Sequence, residues 1–369
     1  VALAAIALVW LLLSGGDGGE PEAGEGTAAA VEQGGPGAPG GGAPASLREL
    51  VEGVMLVGFE GEDAKAALED LGDRAYGGVL VGPANWPGKG PGAKLVADLR
   101  EELGEGEGDP PLMVVRQEGG GYRALADLPP ELREIEVGDR GEPKLATEWG
   151  EDTARALADA GFDLNLAPVA DVAPLSSAIA DRAFSDDPGA AARMTVAALE
   201  GCEKGGIACA VSHFPGLGAA SQDTDLGPAS IGLDGRTLAA RDLIPFRAAF
   251  RAGVPATVIS NGLYAAFDPV TPAPLDPEIV TGLLREDLGF DGVAISDDIG
   301  AAAIEAVTDP GRAAVDAVAA GVDLVQVANP GDVARVRSAL LAAAEDGELT
   351  TAQLEEANAR IARLAGRGK

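Results

Sequence analysis

From residue 47 onward the sequence alternates, eight times over, between short apolar, β-branched runs and longer Ala/Leu/Arg/Glu runs of helical period. This alternation limits the fold more than any other feature. Short apolar runs bounded by Gly, Pro or Asp read as buried strands, and apolar residues recurring every three or four positions read as amphipathic helices. Strands are expected near 54–59, 78–82, 112–117, 163–169, 208–213, 256–261, 292–297 and 322–328. Helices are expected near 62–72, 92–103, 144–160, 188–204, 236–252, 275–287, 310–320 and 331–365. Eight strand–helix units predict an α/β fold, a (β/α)8 TIM-type barrel spanning 47–369. An open doubly wound sheet is the rival. Its nucleotide-binding form would carry a Gly-rich fingerprint after the first strand, and none stands there.

The segment before the barrel has a different character. Residues 1–13, VALAAIALVWLLL, are uncharged and almost wholly apolar. Spanning a bilayer takes about 20 residues, so this stretch reads as part of a signal anchor or transmembrane segment. Residues 14–46 are dense in Gly and Pro without hydrophobic periodicity, the composition of a flexible linker. An apolar segment followed by a tether predicts an extracytoplasmic location, membrane-anchored or secreted, with membrane contact through the N-terminal segment only.

Charge and composition narrow the chemistry. There are 27 Lys and Arg against 59 Asp and Glu, a net charge of −32. No nucleic-acid partner is expected, because phosphate binding needs a basic surface. One His excludes multi-histidine metal sites, and two Cys exclude a Cys₄ zinc site. Cys202 and Cys209 either form a disulfide or remain two buried thiols. Asp297, Asp298, Asp171 and His213 include metal-ligand types, but nothing in their spacing requires an ion. No cofactor is expected, and the chain is expected to act as a monomer.

A barrel of this type collects its function at the C-terminal ends of the strands. Polar residues stand at the expected places: Gln117 and Glu118, Asp171, His213, Asn261, Asp297 and Asp298, and Asn329. In Ile295-Ser296-Asp297-Asp298 an apolar strand ends in two carboxylates. Adjacent residues of an extended chain point to opposite sides. One carboxylate can therefore face the mouth, as a nucleophile or metal ligand, while the other turns away to cap the next helix; a plain helix cap is the alternative. Ser212-His213-Phe214-Pro215-Gly216 brings the lone His into a rigid turn, followed by Asp223-Thr224-Asp225. Arg182, in Asp181-Arg182-Ala183-Phe184, suits bidentate capture of hydroxyls or a carboxylate, with a structural ion pair as its alternative. Gln117-Glu118-Gly119-Gly120-Gly121 lets backbone approach a ligand closely, and Arg123 just beyond it joins the candidate substrate contacts.

Taken in order, these motifs resemble the family 3 glycoside hydrolases, and most of all their bacterial β-N-acetylhexosaminidase branch, which trims cell-wall sugars. The likeness runs from about 50 to 330 and includes Val54–Glu60, Asn165–Asp171, Asp242–Arg247 and Tyr264–Thr271. The resemblance implies a retaining hydrolysis of β-glycosidic bonds in a carbohydrate substrate, such as peptidoglycan fragments. By motif Asp297 is the nucleophile. The acid/base matches an Asp-Ser-His element, which here reads Asp223-Thr224-Asp225, so Asp225 stands where the family has His. Asp223 and Glu118 are further candidates for that proton transfer. Arg182, His213 and Asp171 match sugar-site positions. Four departures stand beside them: Arg116 replaces a sugar-binding Asp, Ser212 replaces a Lys, Ser260-Asn261-Gly262 stands where a His is common, and Leu217 changes the end of the turn. The departures imply either a hydrolase with an altered acid/base or a barrel that binds glycan or a partner without turnover. Arg116 in the sugar pocket would suit an acidic glycan, unless it pairs with neighbouring carboxylates.

Overall fold

A computed structural model of the chain describes residues 45–366, apart from 73 and 105–109. The expected anchor at 1–13 and nearly all of the linker at 14–46 lie outside the described residues.

Eight parallel strands form the centre: β1 (Met55–Val57), β2 (Gly78–Leu80), β3 (Leu112–Val115), β4 (Leu164–Asn165), β5 (Ala208–Phe214), β6 (Ala256–Ile259), β7 (Val293–Ser296) and β8 (Val325–Val327). Each pairs with the next, with Val79 opposite Met113, Leu164 opposite Ala208 and Val258 opposite Ile295. β8 pairs back onto β1, with Gln326 opposite Leu56. The ring closes between β7 and β8 through the Ile295–Leu324 bridge and the Ser296 N–H to Leu324 O bond of 3.0 Å. The (β/α)8 expectation is met.

The strand pleat decides what fills the barrel. Side chains of one strand alternate between the two faces. Leu56, Val114, Leu164, Ala210, Val258, Ile295 and Leu324 pack together as the interior core. Their neighbours Val57, Val79, Met113, Val115, Ile259, Ala294 and Val325 belong to the larger core beneath the helices. The same alternation carries two residues further along each strand. Past Val114 the inward position is Arg116, past Ala210 it is Ser212, and past Ile295 it is Asp297. An apolar barrel thus ends in a polar layer at its C-terminal mouth.

The helices depart from expectation in two places. The stretch expected as one helix over 236–252 is two, Gly235–Ala240 and Leu243–Arg251. Arg241 leaves helical geometry at φ −124°, ψ −75°. Pro245 then falls in the first turn of the second helix, where no N–H is needed. The break buries Asp242. The stretch 331–365 is also two helices, Pro330–Glu345 and Thr351–Ala365. Gly347 ends the first at φ 79°, and Thr350 with Gln353 forms a capping box for the second. Three short helices, Leu47–Gly53, Glu134–Arg140 and Ala302–Glu305, carry too little periodicity to read from sequence. Cys202, near the end of the helix Pro188–Gly205, forms a disulfide with Cys209 at the start of β5. This closes the alternative left open by the sequence. Among the described residues no helix is long and apolar enough to cross a membrane.

Candidate active site

The mouth is built around two ion pairs. The first joins β3 to β7: Arg116 Nη2 donates to Asp297 Oδ1 at 2.5 Å. Asp297 is 3% exposed. Burial alone would raise its carboxyl, but the Arg116 charge and hydrogen bond outweigh it and hold the carboxyl down at about 2. Oδ1 also accepts the Asp298 N–H at 3.0 Å. Both bonds fall on one oxygen, and among the described residues none reaches Oδ2. Asp297 is therefore an ionised carboxylate with one oxygen free at the end of an inward-pointing position.

The second ion pair is bidentate. Arg182 Nε and Nη2 donate to Glu118 Oε2 and Oε1 at 2.7 and 2.8 Å, and both side chains are buried. Burial would raise Glu118, and the Arg182 charge holds it below the usual range instead. Arg182 Nη2 also lies 3.1 Å from His213 Nε2. A guanidinium has no acceptor, so it donates there and the imidazole proton sits on Nδ1. That proton is given to Asp171 Oδ2 at 2.8 Å, while Asp171 Oδ1 accepts the Leu217 N–H at 2.6 Å. Glu118, Arg182, His213 and Asp171 thus form one buried chain running from the loop after β3 to the turn after β5.

The turn holding His213 is fixed from outside. Gly216 N–H donates to His213 O at 2.8 Å and Tyr264 Oη donates to Gly216 O at 3.1 Å. Gly216 has φ 129°, and a Cβ there would stand 2.5 Å from Asp242 Cβ, so only glycine fits. Burial pushes the Asp242 carboxyl up to about 6, with Arg241 beside it holding it back in part. Asp242 lay inside a motif in the sequence but had no role there. A carboxylate in an apolar helical stretch was the signal for its burial.

The acidic loop stands over this chain. Arg182 Nη1 lies 3.7 Å from Asp223 Oδ2. Asp223 Oδ1 accepts the Asp225 N–H at 3.0 Å, and Thr224 O accepts the Ala303 N–H at 3.1 Å, tying the loop to the segment beyond Asp297. Asp225 is exposed at the rim. Its partly enclosed setting and the nearby charges of Asp297 and Asp223 push its carboxyl upward.

Several candidates serve the frame instead. Gln117 spends its amide on Leu125, Leu128 and Pro129 backbone, and Arg123 donates to Gly120 O and Leu128 O. Asp298 turns away as expected, but its Oδ1 takes the Gly300 and Ala328 N–H groups rather than capping a helix. Asn329 caps the helix after β8. Asn261 donates to Asp298 O, leaving its buried Oδ1 without a partner, and Ser212 Oγ is likewise buried and unpartnered. Both ring nitrogens of His213 are engaged, so it has no lone pair for a metal. Sequence inspection missed Glu134. It is 1% exposed, its Oε1 accepts the Val169 N–H at 2.9 Å and its Oε2 has no partner. Burial, reinforced by the charges of Glu118 and Asp171, raises its carboxyl well above the usual range.

The mouth of this (β/α)8 barrel thus holds an ionised inward carboxylate, Asp297, and a second carboxyl at its rim, Asp225. Residues 46–364 match the model of the glycosyl hydrolase family 3 N terminal domain, and the chain belongs to that family. A beta-hexosaminidase of Stenotrophomonas maltophilia is 34% identical over 289 residues, covering 75% of this chain and 84% of that protein. One from Xylella fastidiosa is 34% identical over 286 residues, with the same coverages. Among solved structures, a family 3 β-N-acetylglucosaminidase from a Paenibacillus species superposes with TM-score 0.83 at 29% identity, over 88% of this chain. This chain spans 63% of that longer one. The β-N-acetylhexosaminidase of Beutenbergia cavernae gives TM-score 0.77 at 29% identity, over 88% of this chain and 100% of its own. Membership makes a carbohydrate the substrate class.

Proposed function

We propose that the barrel mouth receives a β-linked N-acetylhexosamine glycan and hydrolyses it with retention of configuration. One observation carries this reading: two carboxyl groups of opposite setting share one mouth. Asp297 is deep, inward and held ionised, while Asp225 stands at the rim and is pushed toward its protonated form. A retaining glycosidase needs both, one to attack and one to deliver a proton.

The steps follow from the bonding. Asp297 Oδ2, the oxygen without a partner, attacks the anomeric carbon. Arg116 stays on Oδ1 and keeps the carboxylate ionised. Asp225 gives its proton to the leaving oxygen as the glycosidic bond breaks. The Asp225 carboxylate then takes a proton from water, whose oxygen displaces Asp297 from the sugar. His213 and Arg182 line the sugar side of the mouth. The names of the relatives, beta-hexosaminidase and β-N-acetylglucosaminidase, support an N-acetylated amino sugar.

A second reading has its own observation. Arg116 draws charge from the attacking carboxylate, and Asp225 is a shorter group than the His it replaces. Both favour a barrel that binds glycan without turnover. Proton NMR of an aryl N-acetyl-β-glucosaminide mixed with the protein separates the two. A first-formed β-anomer supports retaining hydrolysis, an α-anomer overturns it, and saturable binding without product supports the second reading.

We also propose that the domain acts outside the cytoplasm, as a monomer, on cell-wall fragments, either held to the membrane by the N-terminal segment or secreted. The Cys202–Cys209 disulfide supports the compartment, because such bonds persist where conditions are oxidising. Alkylation of both thiols in freshly harvested cells, without prior reduction, would contradict it.

A further inference from the structure

An open cavity of about 710 Å³ lies at the end of the barrel opposite Asp297, around the starts of β6 and β7. Three segments wall it: the end of the helix Leu243–Arg251, the connection from the helix Glu278–Asp287 into β7, and the helix Thr351–Ala365. The last of these packs Ile361 and Leu364 against the interior core and so closes the barrel from below.

The lining is positive in a chain whose net charge is −32. Arg247, Arg251, Arg360 and Arg363 line the cavity, against Asp287 and Asp291. Arg247 and Arg251 are four apart on one helix, and Arg360 and Arg363 three apart on another, so each pair shares one helical face. Like charges at this spacing repel, and turning both pairs toward one cavity adds to the repulsion. Two of the four are compensated. Arg247 donates to Ala239 O at 2.8 Å, and Arg360 donates to Asp323 Oδ1 at 3.1 Å and to Glu356. Arg251 and Arg363 are exposed, and among the described residues their guanidiniums have no partner. Asp287 and Asp291 form no ion pair with any of the four. The helix dipole explains part of this, because Arg251 and Arg363 fall in last turns, where a cation is favourable. It does not explain a second arginine one turn earlier on each helix, lining the same cavity. Apolar surface stands beside the charge: the Phe250 and Phe290 rings stack at 4.5 Å between centroids and line the cavity too.

We infer that this cavity binds a phosphate monoester or diester, with the phosphate on the Arg251 and Arg363 guanidiniums and the esterified group against Phe250 and Phe290. Two unengaged planar forks suit a group with more than two acceptor oxygens, whereas one carboxylate is saturated by a single fork. Asp287 and Asp291 disfavour a polyanion, so the ligand carries a single phosphate. The inference is independent of the chemistry at the mouth and adds a second site at the other end of the barrel.

The test uses the full chain with phenyl phosphate and inorganic phosphate, read by calorimetry, and with vesicles of phosphatidylglycerol or phosphatidylcholine, read by cosedimentation. Phenyl phosphate is expected to bind saturably, more tightly than inorganic phosphate, and to weaken as chloride rises. The Arg251→Gln, Arg363→Gln double variant is expected to lose about tenfold or more in affinity, since hydrogen bonds to charged groups are the strong ones. Asp287→Asn with Asp291→Asn is expected to tighten binding by about twofold to threefold, by removing like charge. Phenyl phosphate should also raise the Tm of wild type and leave that of the arginine double variant unmoved. Arginine-dependent cosedimentation with phosphatidylglycerol and not phosphatidylcholine assigns the phosphate to a lipid headgroup, and phenyl phosphate binding without it assigns a soluble ester; either supports the site. Equal affinity for phenyl and inorganic phosphate overturns the seat on Phe250 and Phe290. An affinity unchanged in the arginine double variant overturns the site itself, as does the absence of both saturable phenyl phosphate binding and arginine-dependent cosedimentation.

Discussion

Arg116 just beyond β3 and Asp297 just beyond β7 are 181 positions apart in sequence, yet a single 2.5 Å hydrogen bond joins them at the mouth. The bond falls on Oδ1, so it fixes the charge of Asp297 and leaves Oδ2 clear. It also gives Arg116 a neighbouring carboxylate as partner, the alternative to standing ready for an acidic sugar. One of its N–H groups is held by the carboxylate at the end of β7.

Replacing Arg116 by Gln should therefore change the electrostatics of Asp297 before anything else. Wild-type Asp297, held at about 2, stabilises the fold above its unfolded pKa of about 3.9, and this stabilisation is lost as pH falls through about 2. In Arg116→Gln, burial loses its largest opponent, with the Asp298 N–H bond remaining, and the carboxyl rises. The variant should match wild type near pH 2 and fall behind it as pH rises, by about 3 kcal/mol at neutral pH. Urea unfolding at a series of pH values measures this. A constant difference across the series would contradict the pairing.

The fold was legible because its signal is periodic and local. An apolar run such as Val293–Ser296 followed by two carboxylates states both the strand and its functional end, and alternation alone sends Asp297 inward. The site was legible as a set of positions, but its bonding was not. Nothing local in Arg182 says that Glu118 rather than a ligand will take its fork. Gln117, Arg123 and Asn329 carry the same polar groups as ligand-binding residues and spend them on backbone. Glu134 left no mark at all, since a Glu at the start of a short helix ordinarily faces water.

Asp225→Asn separates the roles of the two carboxyls. If Asp225 supplies the proton, the variant should lose about 10²- to 10⁴-fold in kcat/KM on alkyl N-acetyl-β-glucosaminides. It should keep most of its rate on a dinitrophenyl glycoside, whose leaving group needs no proton. The basic limb of the pH–rate profile, set above the ordinary Asp range by the raised carboxyl, should vanish with it. Equal losses on both substrates would remove Asp225 from this role.

Glu134 gives a pH signature of opposite sign. Its carboxyl is raised in the fold, so its contribution to stability is full below the unfolded pKa of about 4.3 and is lost as pH rises through the folded value. Glu134→Gln keeps the Val169 bond and cannot ionise. The variant should therefore gain on wild type as pH rises, seen as a widening Tm difference. A variant that loses ground with rising pH would show that Glu134 is ionised and paired.

In the proposed reaction Asp297 forms a covalent bond to the sugar. Incubation with an activated 5-fluoro N-acetylglucosaminyl fluoride, followed by intact-mass and peptide analysis, tests it directly. One added glycosyl unit is expected, located on Asp297, and none in Asp297→Asn. A properly folded wild-type protein that binds the reagent and gains no mass, or gains it on another residue, would contradict it.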